Sequence, residues 1–590
     1  MKRGHKACTS QQFFTVFALL SISLIAFFSF KDMLQYFFRG DDLQCIHQGR
    51  VHDLGDISRI FTERFLETTG IYHLLYRPVM ILSFSIDYSI WKLNPFGYHL
   101  TNLLIHILVS ISVFFLARLL TGGKQFIAWI SAVIFTTHPV NMYSVTAVGM
   151  RADLMSPLFS ILSLLLFLKH LSVASYRRFF LLSSIFLYIL AFWSKETAII
   201  FPVLVFAYLI IFSEEASPKF RTVQAIKKVA PYFIVTFILF IWRLYILKSL
   251  LGGYHEPLVR GFRSIIFEYF YYLLTPGNLI NLNTSTLGLF VTILPPLIIS
   301  LMLYSKLHQG KLKLVGKLLI IGLILSTISI PVYLIVEQLI ARLTENNYLG
   351  IAHQLFEGKN ITSWINYLND ERGSFLNRFY FFLYFFFICL ICVGSYEQKR
   401  IFFPLSYKNK LIVFLIIWLS LLLSLYLLTL YLANWHMYFS VIPFSILLSF
   451  ILFESFQSIK EACSSRLFLF KPIAIPLVMG ILMLLLFFNS PFTKIKGWRP
   501  ETKSEFIFFK KFSEIVYSLP NNTTTIYVDV PNKLCLSEDI IKTWLDLIHP
   551  ANKVKAIFLN TVPATITTMD YLDFEIQLME NNEAKINGIR

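Results

Sequence analysis

Apolar runs long enough to cross a bilayer recur along most of this chain, and they decide what it can fold into. A helix of roughly twenty apolar residues spans the hydrocarbon, because every backbone N–H and C=O finds its partner inside the segment. By this measure the sequence predicts about thirteen spans. The runs are Phe13–Phe30, Tyr98–Leu120, Phe126–Pro139, Leu154–Leu168, Phe179–Trp193, Ala198–Phe212, Ala230–Leu250, Leu287–Tyr304, Leu318–Ile340, Phe379–Cys392, Leu411–Leu432, Tyr438–Phe453 and Phe468–Phe488. With 56% hydrophobic and only 15% charged residues, the chain carries more apolar surface than a soluble core can hide. It reads as an α-helical polytopic membrane protein.

Charge orients the spans. Cytoplasmic loops of membrane proteins are enriched in Lys and Arg. With the basic MKRGHK start inside, alternate loops are basic: Arg118 and Lys124, then Arg177 and Arg178, then Lys227 and Lys228, and so on to Lys460 and Arg466. A missed or extra span would invert every later loop, so the pattern supports a cytoplasmic N-terminus. It also accounts for the formal charge of +18 without nucleic acid. Of the six cysteines, Cys389 and Cys392 share one apolar run, where packing outranks metal or redox chemistry. Cys45 and Cys535 are both expected outside and could pair.

The first outer loop opens with FFRGDDLQCIHQGR, which places Asp41 and Asp42 just beyond the first span. Downstream, Asp56 can cap a helix whose Ile57, Ile60, Phe61 and Phe65 make one apolar face suited to a membrane surface. YRPVMILSFSIDYSIW follows; it is short for a span and interrupted by Asp87, and reads as a second interfacial or re-entrant helix. After about residue 489 the pattern turns soluble. Strands are expected over Thr524–Val530 and Lys555–Leu559, with a helix over Ser537–Ile548 capped by Ser537. The chain divides into a membrane domain over 1–489 and a small α/β extracytoplasmic domain over 490–590. The latter has no nucleotide-binding glycine loop.

Ionisable groups at the bilayer boundary are costly and mark function. Asp41 and Asp42 suit a general base with a tuning neighbour, a role that needs one carboxylate within reach of a hydroxyl; the competing reading is a pair of solvated acids anchoring a helix end. No D-x-D spacing accompanies them, so no metal ligands are assigned, while a divalent cation stays open as a cofactor. Arg77, Arg151, Lys195, Arg243 and Arg263 are candidates for a phosphate facing an outer cavity. The competing reading is that they snorkel or pair with Asp153 and Glu196. His138, before Pro139, is either a site residue or a helix terminator.

Several of these stretches resemble one family. YRPV, SFSIDYSIW, NPFGYHLTNLLIHIL, AVIFTTHPVNMYSV, GMRADLMSPLF and WSKETAIIFP, in this order, are similar to blocks of the GT-C superfamily of membrane glycosyltransferases. Within it the likeness is to the transmembrane, tetratricopeptide-repeat-containing O-mannosyltransferases and their bacterial relatives. YYLLTPGNLINLN resembles a further block, and beyond Asn283 the likeness fades. The resemblance implies a GT-C bundle, an acidic motif in the first outer loop (Asp41 and Asp42) as the catalytic site, and a polyprenyl-phosphate sugar as donor with inversion at the anomeric carbon. It places Arg77, Arg151 and Lys195 near the lipid phosphate or the sugar. Tetratricopeptide repeats are missing from this sequence, and the α/β segment stands in their place, which leaves a protein, glycan or lipid as acceptor.

A lipid-linked polysaccharide polymerase or ligase would centre on arginines in late outer loops, a transporter on internal repeats, and a scaffold on neither acids nor cations. The Phe-, Ile- and Lys-rich spans point to a bacterial inner membrane, with the endoplasmic reticulum membrane as the eukaryotic counterpart.

Overall fold

The computed structural model describes residues 2–39, 41–65, 75–214, 217–248, 406–429 and 432–462, scattered residues of 265–273 and 509–548, and four strands between 525 and 589. Described residues of Met1–Ile265, Ser406–Leu447 and Phe487–Arg590 belong to one compact unit, which holds the candidate site; residues 448–462 belong to a second unit.

Among the described residues six helices are long and apolar enough to cross a membrane: Gln11–Gln35, Pro95–Leu120, Val148–Ser172, Arg177–Ser194, Pro218–Leu247 and Tyr407–Thr429. Three shorter apolar helices cover Gln125–Thr137, Glu196–Phe212 and Val441–Glu454. Nine of the apolar runs read from the sequence fall on these nine helices. The other four, Leu287–Tyr304, Leu318–Ile340, Phe379–Cys392 and Phe468–Phe488, lie outside the described residues. The protein is an integral membrane protein with a mostly helical body.

In chain order the elements that matter are α1 (Lys2–Phe30), α2 (Asp42–Gln48), α3 (Leu54–Thr62), α4 (Pro78–Trp91), α5 (Pro95–Leu120), α6 (Gln125–Thr137), α7 (Asn141–Thr146), α8 (Arg151–Ser172), α9 (Arg177–Ser194), α10 (Phe201–Phe212), α11 (Pro218–Leu247), α12 (Tyr407–Thr429) and α13 (Val441–Ala462). In lipid the helices gain little from apolar burial against one another, so close packing and polar contacts set their pairing. Between α8 and α9, Ser163 Oγ donates to the Ser184 carbonyl and Ser184 Oγ to the Ser163 carbonyl, each at 2.7 Å. The Tyr232 hydroxyl on α11 joins them, 2.6 Å from Ser184 Oγ.

Among the described residues, the segment between α1 and α5 carries three α-helices. Of these, α3 and α4 fall where the sequence reading expects them, α2 does not appear in that reading, and the cap of α3 differs from it. Asp53, in extended conformation, accepts from the Asp56 N–H at 3.0 Å and begins the helix three residues earlier. Asp56 reaches back instead to the His52 N–H at 2.7 Å and pairs with Arg59 at 3.2 Å. Asp53 thus accepts from the Asp56 amide while Asp56 accepts from the amide one residue ahead of the cap, a looser relative of the capping box. The backbone N–H of His52 holds the Asp56 carboxyl below the usual carboxylate range. Phe65 lies past the end of α3 and is buried in the loop core.

Helix α4 starts with Pro78 at its first position, where the missing N–H costs nothing, and it buries Asp87. Its end presses against α5: a Cβ on Gly97 would run into the Trp91 ring, so only glycine admits this approach.

Near the C-terminus four strands, β1 (Thr525–Asp529), β2 (Lys555–Phe558), β3 (Asp573–Met579) and β4 (Glu583–Ile589), form one sheet in the order β2-β1-β4-β3. β1 runs parallel to both β2 and β4, while β3 and β4 are antiparallel. The first two strands match the sequence reading to within one residue at each end. Ser537, the expected cap of the intervening helix, lies outside the described residues.

Candidate active site

Asp41 and Asp42 open α2, and the two carboxylates meet different surroundings. Asp42 is buried, 2% exposed. Its Oδ2 accepts from the Arg39 N–H at 2.8 Å, closing a tight turn at the loop entrance. Its Oδ1 accepts from the Gly149 N–H at 2.6 Å, which ties the loop after α1 to the turn that opens α8. Burial dominates the electrostatics: it pushes the Asp42 carboxyl up to about 7, against the opposing pull of these two N–H groups. The neighbouring Asp41 charge adds to the rise, and Arg151 offsets part of it. Asp41, half-buried at the position before α2, makes no side-chain bond to the helix end.

Gly149 is the hinge of this junction. A Cβ there would sit 3.1 Å from Asp42 Oδ1 and 3.6 Å from the Asp42 nitrogen. Gly149→Ala is therefore expected to displace the Asp42 carboxylate by a few tenths of an ångström and to lower activity by about tenfold. Expression and detergent-solubilised size would stay at wild-type levels. An alanine variant with wild-type turnover would show that the junction tolerates the shift.

Arg151, expected among the phosphate-binding cations, is fully buried instead, at 0% exposure. Its guanidinium donates to Asn102 Oδ1 at 2.8 Å, Ser83 Oγ at 3.2 Å and the Tyr98 carbonyl at 3.3 Å, and pairs with Asp87 Oδ2 at 2.6 Å. It also stacks over the Phe84 ring at 4.3 Å. Asp87 Oδ1 accepts from Thr101 at 2.8 Å, and Asn102 Nδ2 donates to the Val145 and Ala147 carbonyls. Arg151 thereby locks α4, α5 and the start of α8 two residues from the glycine that holds Asp42. A planar five-donor fork is the side chain suited to such a junction.

The remaining predicted cations form a second group. Arg77, 8% exposed, holds Glu196 through Nη2 at 2.8 Å and Nε at 3.3 Å. Lys195 Nζ pairs with Asp153 Oδ1 at 2.5 Å. Pairing with Asp153 and Glu196 is thus what the structure brings together. Arg243, 6% exposed on α11, makes no hydrogen bond or ion pair among the described residues. Its charge is felt alongside those of Arg77 and Glu196. His436 belongs to the same neighbourhood, in a short turn over Asn434–Tyr438. Three cations thus face two acids, an arrangement with room for one further negative charge. His138 ends α6 and accepts from the Val140 N–H at 3.3 Å, buried against Phe444. Arg263 lies outside the described residues. Among the described residues no three His, Cys, Asp or Glu side chains converge as a metal-ligand set. The Cys45 thiol in α2 is free and buried, and Cys535, considered as its partner, lies outside the described residues. Burial and the two neighbouring carboxylates push it up.

Human protein O-mannosyl-transferase TMTC2 is 36% identical to this chain over 104 residues, 18% of this chain and 12% of that protein. Human protein O-mannosyl-transferase TMTC3 is 34% identical over 87 residues, 15% of this chain and 9% of the relative. The chain is homologous, over part of its length, to protein O-mannosyl-transferases. Drosophila melanogaster protein O-mannosyl-transferase Tmtc1 extends the match to 185 residues at 29% identity, 31% of this chain and 21% of that protein. The matched segments thus span less than a quarter of these relatives. No family model matches the chain, and no solved structure does.

Several residues of the site are absent from the sequence reading. Gly149 and Arg39 contribute backbone N–H groups, which no side-chain pattern reveals. Asn102 sits in a helix that otherwise reads as membrane-spanning, and a buried polar residue there is the one signal that could have singled it out. His436 sits in a short turn between two apolar runs and carries no pattern of its own.

Proposed function

We propose that this protein is a glycosyltransferase that moves a sugar from a polyprenyl-phosphate donor to a hydroxyl acceptor on the extracytoplasmic face. The observation that carries the reading is the Asp42 carboxylate clasped between the Arg39 and Gly149 N–H groups, beside a half-buried Asp41. The names of the relatives supply the first choices of sugar and acceptor: mannose, and a hydroxyl of a protein.

In the proposed reaction Asp41 takes the proton of the acceptor hydroxyl as its oxygen attacks the anomeric carbon from the face opposite the phosphate. The bond from that carbon to the phosphate oxygen breaks, and the polyprenyl phosphate leaves with the electron pair. The sugar is inverted. No nucleotide is needed, and stabilising the departing phosphate is the main electrostatic demand. Arg243 serves it best: it is a buried cation without a hydrogen-bond or ion-pair partner among the described residues, within the field of the Arg77 and Glu196 charges. Arg77, Lys195, Asp153 and Glu196 position that group. Arg151 acts on the other side, through the scaffold beneath Asp42. His138 shapes the loop before α7, and a cytoplasmic N-terminus puts the acid pair outside. Sheet β1–β4 belongs to a small C-terminal α/β domain on that same side, and about thirteen spans complete the bundle.

Ionisation of Asp42 should govern the acid side of the pH profile. As a carboxylate it offers one oxygen to each N–H donor, whereas protonation weakens one of those bonds and loosens the loop. Turnover is expected to rise with pH through about 7 rather than through the ordinary value of 3.8. The residual turnover of Asp42→Asn should lack this limb. For stability the sign is opposite. The raised value favours the fold below about 4, and that contribution is lost as pH rises through about 7. A profile flat from pH 5 to 9 would remove Asp42 from the rate-limiting ionisation.

Incubating the purified protein with a panel of polyprenyl-phosphate sugars tests the reading. Release of polyprenyl phosphate in the presence of acceptor from at least one donor is expected. Turnover of nucleotide sugars alone would overturn it.

A further inference from the structure

The segment just ahead of the acid pair is gripped from the far end of the chain. Phe37, four residues before Asp41, packs against Phe509 with ring centroids 5.4 Å apart and against Trp544 at 5.8 Å. Phe509 and Trp544 meet each other at 4.9 Å. The arrangement is fastened by polar contacts: Trp544 Nε1 donates to Ser513 Oγ at 2.8 Å, and Ser513 Oγ donates to the Phe509 carbonyl at 2.7 Å. Phe512, Val516, Leu545 and Leu547 are buried in the same cluster as Phe38, Leu43, Cys45 and Ile46 of the acidic loop. Phe38 stacks edge-on to Tyr98 at 5.2 Å, and the Tyr98 carbonyl accepts from Arg151. The loop is thus wedged between the α5–α8 scaffold and the C-terminal segment, with its aromatic pair alternating between them.

We infer that the C-terminal segment clamps the acidic loop, and that Trp544 and Phe509 are positioning residues for Asp41 and Asp42. The inference rests on the reading of that acid pair as the reacting group. Helix α2 is only seven residues long, too short to hold its place by helix propensity. On one side it is tied by two hydrogen bonds of a single carboxylate. The aromatic wedge supplies the opposing surface, and a reacting carboxylate that drifts by an ångström loses much of its rate.

Cys45 reports on the clamp independently of turnover, because it is free, 0% exposed and one turn along α2 from the acids. In the purified full-length protein, peptide-resolved maleimide labelling should find Cys45 protected. Trp544→Ala is expected to raise its labelling rate at least about tenfold by lowering the cost of local opening, and Trp544→Phe should restore protection. In the same preparations Trp544→Ala should lower kcat for polyprenyl phosphate release at least about tenfold, with donor KM changed less than about twofold. Equal size-exclusion profiles distinguish local opening from unfolding. If Trp544→Ala fails to fold, the milder Phe509→Leu carries the same comparison. A Cys45 that stays protected in the variant overturns the clamp. So does full turnover in a variant whose Cys45 has opened. A wild-type protein that turns over no donor counts against the transferase reading alone, and the labelling still decides the clamp.

Discussion

Asp41→Asn is expected to lower turnover by roughly 10²–10⁴-fold, the usual worth of a positioned general base. Asparagine keeps the size and the hydrogen-bonding reach of aspartate but cannot take up the acceptor's proton. Asp41 is half-buried and asparagine fits its space, so the change should leave melting temperature and expression near wild type. Asp42→Asn should be comparably inactive for a different reason. One of its two bonds, to the Arg39 or the Gly149 N–H, becomes a donor facing a donor, and the loop loses its fixed position. The two variants then separate: Asp42→Asn lowers thermal stability and Asp41→Asn does not. Wild-type turnover in both, measured as polyprenyl phosphate released, would remove the pair from catalysis.

Arg151→Ala carries the largest expected effect on stability. It strands Asp87, 4% exposed, without its counter-ion, and leaves Asn102 Oδ1, Ser83 Oγ and the Tyr98 carbonyl without a donor. Breaking a buried pair from one side costs about 3–5 kcal/mol. Arg151→Lys should recover little, because a single ammonium cannot span these acceptors. The double variant Arg151→Met, Asp87→Leu should regain much of the loss, since the stranded charge is then gone. Melting temperatures in detergent decide the matter. A double variant no more stable than Arg151→Ala would mean that the cost lies elsewhere than in the unpaired carboxylate.

Much of the architecture was legible because membrane solvation leaves few choices. Backbone groups in hydrocarbon must bond within the helix, so apolar run length alone located the nine apolar helices among the described residues. Asp41 and Asp42 were equally visible, as adjacent charges at a span boundary. What escaped was every relation between distant segments. Nothing near Asp42 in sequence points to Gly149, and Asp87, visible as an oddity in α4, finds Arg151 on another helix. For the same reason Arg151 read as an open phosphate ligand, because a cation at a helix start looks alike whether a lipid headgroup or a buried acid answers it. The α3 cap was misplaced locally: Asp53 and Asp56 are three residues apart, and either could have begun the helix until backbone geometry chose. The hold of Trp544 on Phe37 joins opposite ends of the chain and leaves no periodicity to read.

The donor's sugar is expected at the acid pair. A polyprenyl-phosphate sugar carrying a photoreactive group on the sugar, irradiated with the purified protein and mapped by peptide sequencing, tests that placement most directly. Cross-links within residues 37–49 and 148–151, lost on adding unlabelled donor, are the predicted result. Cross-links confined to the basic loops around 118–124 and 173–178, with none on the Asp41–Asp42 segment, would contradict it.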